Sequence, residues 1–128
     1  MSAVRYRPGR LWPVFPAATR KVEHLFDRNE RLIFALETPL GPVILAMIGA
    51  FGVGRMATPL AELITNTGGA AEDLSMDVSI DRGQELGRFE MGSTVILLAE
   101  PGRLDWELQQ GEPVRLGRPI AWRKDLAG

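Results

Sequence analysis

The sequence predicts a mainly β fold: a compact, barrel- or sandwich-like antiparallel sheet domain with short turns and little helix. Three observations predict it. Fourteen glycines and nine prolines are spread through the 128 residues, and both residue types disfavour helix interiors. The apolar residues fall in short runs rich in β-branched and aliphatic side chains, and clusters of turn-forming residues separate those runs. A hydrophobic content of 45% is enough for one core of ordinary size, so a single domain over 1–128 is the expected organisation.

Taken in order, the first clear elements are Arg31 to Glu37 (RLIFALE) and Val43 to Ile48 (VILAMI). Thr38-Pro39-Leu40-Gly41-Pro42 between them predicts a turn, and the three parts together a hairpin. The second run is apolar on both faces, which predicts a central strand. Ala50 to Met56 (AFGVGRM) reads as its continuation toward a bulge at Gly54. Ala61 to Asp77 has no sustained period and reads as a long surface loop with room for one helical turn. Arg82 to Phe89 is polar and turn-like. Thr94 to Leu98 (TVILL) is a strongly apolar strand expected to be buried, with Ser93 on its lip. Leu104 to Leu108, a Gly111-Glu112-Pro113 turn and a last short strand within Val114 to Trp122, interrupted by Gly117 and Pro119, complete the chain.

Charge and composition exclude several classes of function. The net charge is −1, and the basic residues are not interleaved with aromatics, so nucleic acid is not an expected partner. The first 31 residues hold seven basic residues (Arg5, Arg7, Arg10, Arg20, Lys21, Arg28 and Arg31) against Glu23, Asp27 and Glu30. Such a local excess suits either an anionic lipid surface or a solvated edge. With no cysteine and a single histidine, His24, thiolate chemistry and multi-histidine metal centres are excluded, and no metal site is expected. The most apolar stretch, Pro42 to Val53, is shorter than the ~20 residues a membrane-spanning helix needs and is broken by Gly49 and Gly52. The first residues lack the apolar core of a signal peptide.

Gly92-Ser93-Thr94 is by itself only a tight turn entering a strand. Its surroundings, GQELGRFEMGSTVILLAEPG from Gly83 to Gly102, resemble the self-cleavage region of pyruvoyl-dependent phosphatidylserine decarboxylases: Gly-x-Glu-x-Gly-x-Phe, an aliphatic residue, then Gly, Ser and Thr. RYRPGRLWPV (Arg5 to Val14), LFDRNERL (Leu25 to Leu32), TPLGPVILAMIGAFGVG (Thr38 to Gly54) and LGRPIA (Leu116 to Ala121) extend the resemblance over nearly the whole chain, in the order of that family's C-terminal half.

The resemblance implies cleavage of the Gly92–Ser93 bond, giving residues 1–92 as the β chain and 93–128 as the α chain, with a covalent pyruvoyl cofactor formed from Ser93. The Ser93 hydroxyl suits this role because one oxygen serves as nucleophile and then as leaving group. Gly92 suits the scissile carbonyl because a missing side chain permits a strained geometry and leaves the carbonyl open. Thr94 either hydrogen-bonds to the oxyester or simply starts a strand. In the family the pyruvoyl carbonyl takes up the amine of phosphatidylserine as a Schiff base and acts as electron sink while carbon dioxide leaves.

The implied partners are the phosphatidylserine substrate and an anionic membrane surface, with peripheral membrane association, on the cytoplasmic face of the cell membrane in a bacterium. Active members also use an Asp and a His-rich block upstream of the segment matching Arg5. Neither is in this sequence, so a separate or missing N-terminal segment is expected to supply them. His24 is assigned no role, and Arg28 to Arg31 read as a charged turn leading into the hairpin. The reading from a different class is a non-catalytic remnant serving as a lipid- or partner-binding β module. A lipoyl-carrier domain is disfavoured, since Lys21 and Lys124 are the only lysines and neither falls at a hairpin tip.

Overall fold

A computed structural model of the chain describes residues 1, 3–11, 20–21, 23–50, 55–60, 63–64 (backbone only), 70–92 and 94–124. Among these, β1 (Ala3–Arg7), a helical turn α1 (Leu25–Arg28), β2 (Arg31–Thr38) and β3 (Gly41–Ile48) come first. They are followed by β4 (Met56–Thr58), β5 (Leu63–Ile64), β6 (Glu72–Ser75), β7 (Arg88–Phe89), β8 (Thr94–Ala99), β9 (Leu104–Trp106) and β10 (Ala121–Arg123). The strands make a five-stranded sheet in the order β6-β1-β2-β3-β8, a three-stranded sheet β5-β4-β7 and a two-stranded ribbon β10-β9. Every pairing between these strands is antiparallel among the described residues. Among the described residues no sheet closes on itself, so the mainly β expectation holds in its sandwich-like form.

The predicted hairpin is the centre of the large sheet. Its register runs unbroken from Arg31↔Ile48 to Thr38↔Gly41. At the turn, the Thr38 hydroxyl accepts from the Leu40 N–H at 3.1 Å and donates to the Gly41 carbonyl at 2.7 Å, while Gly41 takes a φ of +98° that a side chain would strain. Pro42 lies just before Val43, where pairing with β8 begins, so its missing N–H interrupts nothing on that side. β3 is central, as its two apolar faces predict.

Alternation along the strands builds the core. Leu32 and Phe34 of β2 lie opposite Tyr6 and Val4 on one side and Met47 and Leu45 on the other. Val4, Tyr6, Leu32, Phe34 and Met47 are buried together with Met56 from β4, so the two larger sheets share one core. Each such side chain, fully buried, contributes about 1.5–3 kcal/mol.

Several expectations are corrected. β1 was not foreseen, because its arginines read as a basic edge; Val4 and Tyr6 point inward while Arg5 stays exposed. The apolar run from Ala50 does not lengthen β3, which ends at Ile48; Met56 instead opens a strand of the second sheet. The bulge expected at Gly54 lies outside the described residues. The long loop of 61–77 contains β5 and β6, and its described part has no helical turn. β6 escapes a period-based reading because it is a charged edge strand in which Leu74 alone is partly buried and Asp73 pairs with Arg7 at 2.6 Å. The Arg7 guanidinium holds the Asp73 carboxyl below its ordinary range. Within Arg82 to Phe89, the last two residues form β7. Val114 to Ile120 is not strand but an exposed loop, closed at 115–118 by a hydrogen bond from the Arg118 N–H to the Arg115 carbonyl. β8 is not buried as predicted: Val95 is 51% and Leu98 58% exposed, because among the described strands β8 is paired on one side alone.

Phe34 is fully buried at the centre of the shared core. Phe34→Ala is expected to cost about 3–5 kcal/mol, read as a fall in the urea midpoint followed by tryptophan fluorescence. Leu116→Ala, at a fully exposed position, should leave that midpoint within about 0.5 kcal/mol of the parent.

Candidate active site at the Gly92 junction

The junction connects two sheets. β7 lies N-terminal to it and pairs with β4 through Met56↔Phe89 and Ala57↔Arg88. β8 lies C-terminal to it and pairs with β3 over six rungs, from Ile48↔Thr94 to Val43↔Ala99. Gly92 between them is exposed, and a Cβ placed on it meets nothing within 4 Å. Its φ is not in the left-handed region. Ser93 lies outside the described residues. Thr94 is half-buried and is the first residue of β8.

The motif before the junction has a packing basis that sequence reasoning did not supply. A Cβ on Gly87 would lie 2.8 Å from Met47 Sδ, 3.1 Å from the Ala57 carbonyl and 3.2 Å from Phe34 Cζ. Only glycine lets this segment lie on the core. The Thr58 hydroxyl donates to the Leu86 carbonyl at 2.6 Å, and the Glu90 N–H donates to the Arg55 carbonyl at 2.9 Å. Phe89 packs against the core cluster. Gly83, with φ +82°, belongs to the preceding turn, where the Gln84 N–H donates to the Asp81 carbonyl. The Gly-x-Glu-x-Gly-x-Phe stretch thus fixes the approach to Gly92.

Beyond the end of β3, beside the first rung of β8, sits a buried polar hub. Asn29 is 0% and Glu30 5% exposed, so two residues of the charged turn leading into the hairpin are buried. The Tyr6 hydroxyl donates to Glu30 Oε1 at 2.6 Å. The Gly49 N–H donates to the Glu30 carbonyl at 2.7 Å, and Asn29 Nδ2 donates to the Gly49 carbonyl at 2.9 Å. Both main-chain groups of Gly49, the residue after Ile48, are therefore held. A Cβ on Gly49 would lie 3.3 Å from Glu30, so the hub is also tight.

Two further segments close on the hub. The Arg10 N–H donates to the Arg28 carbonyl at 2.7 Å and the Glu30 N–H to the Arg10 carbonyl at 2.9 Å. Gly9 passes so near that a Cβ would lie 2.4 Å from the Arg28 carbonyl oxygen. Arg31 donates to the Phe26 carbonyl at 3.2 Å and to the Asp27 carbonyl, satisfying the C-terminal end of α1. Arg7 and Arg31 thus act internally, leaving Arg5, Arg10, Arg20, Lys21 and Arg28 as the exposed basic residues of this region. His24 is exposed, has a φ of 53°, and its Nδ1 lies 3.3 Å from Asp27 Oδ2. It does not take part in the hub.

Tyr6 carries the electrostatic signature of the hub. Burial first, then the hydrogen bond to Glu30 and the charges of Glu30 and Glu72, push its phenol from 10.0 up to about 12. A raised folded-state value favours the protonated phenol, so this contribution to stability is complete below pH 10 and is lost as pH rises through about 12. Tyr6 is the only tyrosine, so tyrosinate absorbance reports it alone. An alkaline titration is expected to show a midpoint near 12 in the folded chain and near 10 in denaturant. Glu30→Gln should move the folded midpoint toward 10; a midpoint unchanged by that substitution contradicts the coupling.

Residues 1–121 match the family model described as phosphatidylserine decarboxylase. The phosphatidylserine decarboxylase proenzyme of Anaeromyxobacter sp. (strain K) is 51% identical over 123 residues, covering 91% of this chain and 44% of that protein. The proenzyme of Myxococcus xanthus is 44% identical, covering 90% of this chain and 42% of that protein. That of Nitrosococcus oceani is 39% identical, with coverage of 90% and 40%. The chain spans less than half the length of these curated relatives. The match takes in Gly9, the Asn29–Glu30 hub, Gly49, Gly87 and the Gly92 junction together, and the chain belongs to the phosphatidylserine decarboxylase family.

Proposed function

We propose that this chain is the part of a pyruvoyl-dependent phosphatidylserine decarboxylase that carries the self-cleavage junction, acting at a membrane surface to convert phosphatidylserine to phosphatidylethanolamine. The observation that carries the reading is the exposed Gly92 between β7, anchored in one sheet, and β8, anchored in another. A cut there leaves each strand with its ladder. Residues 1–92 and 93–128 then remain two chains of one domain, with the six rungs between β3 and β8 among the contacts that join them.

The cleavage chemistry is an N-to-O acyl shift followed by elimination. The Ser93 hydroxyl attacks the Gly92 carbonyl, the amide C–N bond breaks, and an ester forms. Loss of the Ser93 α-proton expels the Gly92 carboxylate and leaves dehydroalanine, whose imine tautomer takes up water and releases ammonia. The solvent exposure of Gly92 suits this sequence because attack needs an accessible peptide. A pyruvoyl group at residue 93 supplies an electrophilic carbonyl and an electron sink for loss of carbon dioxide from the substrate's amino-acid headgroup. Thr94 is anchored opposite Ile48 and sets where β8 begins. The base for the shift is expected from the portion of the family protein outside this chain, as the resemblance implies. No helix among the described residues is long and apolar enough to cross a membrane, and the exposed Arg5, Arg10, Arg20, Lys21 and Arg28 suit attraction to an anionic surface from the side.

Intact mass measurement of the chain, co-produced with the portion of the Anaeromyxobacter relative outside the match, tests the junction. Two fragments split between Gly92 and Ser93, the smaller blocked to Edman degradation, are expected, and Ser93→Ala should abolish both. A parent chain that stays whole sinks the proposal. Thr94→Val separates the two readings of Thr94: a rate of cleavage reduced about tenfold or more, the ordinary scale of a lost hydrogen bond in a reacting site, assigns the hydroxyl a part. An unchanged rate leaves Thr94 as a strand former.

A further inference from the structure

Among the described residues the ribbon β10-β9 is hydrogen-bonded into neither of the larger sheets. Two strands alone are marginal in water, and this pair exposes its tryptophans, Trp106 by 48% and Trp122 by 54%. Register sets Trp106 opposite Ala121 and Trp122 opposite Asp105, so the two indoles lie on opposite faces. At the end away from β8 the ladder is extended by the Glu107 N–H, which donates to the Ile120 carbonyl at 3.0 Å. Residues 108–119 leave and rejoin the ribbon there, and all of them are exposed.

The excursion carries a tight turn. The Arg118 N–H donates to the Arg115 carbonyl at 3.1 Å and Gly117 has a φ of +81°, which makes Leu116 and Gly117 the two central residues. Leu116 at this tip is fully exposed, and Val114 is 63% exposed. Pro113 and Pro119 bracket the turn and restrict its backbone, so little further ordering is needed when the tip is buried by a ligand. Among the described residues Arg115, Arg118 and Arg123 have no carboxylate at ion-pair distance, whereas Arg103 meets Glu100 at 3.3 Å and Lys124 meets Asp105 at 3.7 Å. Glu107 and Glu112 are the acids nearest in sequence, and Glu112 Oε2 accepts from the Gln109 N–H at 3.1 Å. A cleft of about 300 Å³ has Leu108, Val114, Pro119 and Ile120 on its wall together with Arg115 and Arg118.

We propose that the turn at Arg115 to Arg118 enters an anionic bilayer, with Leu116 and Val114 at the boundary of the acyl chains and Arg115 and Arg118 at the lipid phosphates. Lipid is favoured over polypeptide by the alternation Val-Arg-Leu-Gly-Arg. A dry protein interface that buried Leu116 would also have to take the adjoining guanidiniums out of water and pair each of them. The bilayer interface offers acyl chains and phosphates within one side chain's length of each other. Indoles on both faces of the ribbon fit the same pose, because end-on entry brings both to headgroup level, where tryptophan is enriched. A partner covering one face would leave the other indole in water. The cleft, apolar but flanked by two cations, has the chemistry of one lipid's phosphate and first acyl carbons. The inference rests on the reading that the protein works at a membrane surface and names the part that enters it, in the segment 93–128 rather than among the basic residues of the first 31.

The test is co-sedimentation with phosphatidylcholine vesicles, with and without phosphatidylglycerol, of the chain co-produced with the portion of the Anaeromyxobacter relative outside the match. Ser93→Ala is carried throughout, so cleavage plays no part. Binding to the phosphatidylglycerol vesicles is expected. Leu116→Asp should weaken it about tenfold or more, the scale of one buried leucine, while Leu116→Trp keeps it. Arg115→Gln with Arg118→Gln should weaken it about tenfold on the anionic vesicles. A Tyr6 titration midpoint still near 12 is expected in each variant and shows that the fold is kept. Binding indifferent to Leu116→Asp overturns the inference; if Arg5→Glu with Arg10→Glu abolishes that binding instead, the membrane reading stands without it. A parent that binds neither kind of vesicle overturns both. Loss of the co-produced portion on Leu116→Asp also overturns the inference, since it assigns the turn to a polypeptide interface.

Discussion

The hydrogen bond from Tyr6 to Glu30 is the constraint on which the site depends. A glutamate at 5% exposure is costly unless its oxygens find donors, and Tyr6 supplies one from the inward face of β1. Hydrogen bonds to charged groups are worth about 1.5–3 kcal/mol. That is comparable to burying one large core side chain. The geometry also couples segments far apart in sequence. The bond spans β1 and the entry to β2, Gly9 admits the chain against Arg28, and Gly49 extends the contact to the end of β3.

From that hub the structure leads to the junction in two directions. Through Gly49 and Ile48 it fixes the end of β3, against which Thr94 is registered. Through Phe34 and Met47 it shares a core with Gly87 and Phe89, which hold the incoming strand. Gly92 itself is loosely surrounded. On the cleavage reading, firm supports on both sides of Gly92 are what intramolecular attack asks of a scaffold, since the gain comes from holding reacting groups near one another.

The hairpin β2–β3 and the strand β8 were legible in the sequence, because apolar runs and turn residues mark them directly. β1 was not, since Arg5 and Arg7 dominate its composition while two alternating residues do the packing. β6 was hidden for the same reason. Both need a partner strand before their alternation has meaning. Asn29 and Glu30 look like surface residues in any composition-based reading, and nothing local distinguishes a solvated carboxylate from one that a tyrosine 24 residues earlier will meet. The glycines at 9, 49 and 87 carried the missing information: each marks a close approach, but a sequence gives no address for the other side of it.

Ile48 has a consequence beyond packing. It is 1% exposed and faces Thr94 at the first rung of β8. On the cleavage reading, that rung becomes the last tether before a newly made chain end, and chain ends ordinarily fray. An end carrying a reactive carbonyl has to stay where the substrate meets it. The rigidity it lacks covalently would then come from across the sheet, with Ile48 as an anvil backed by Gly49 and Asn29. Precision at the terminus of one chain is thereby stored in the interior of the other.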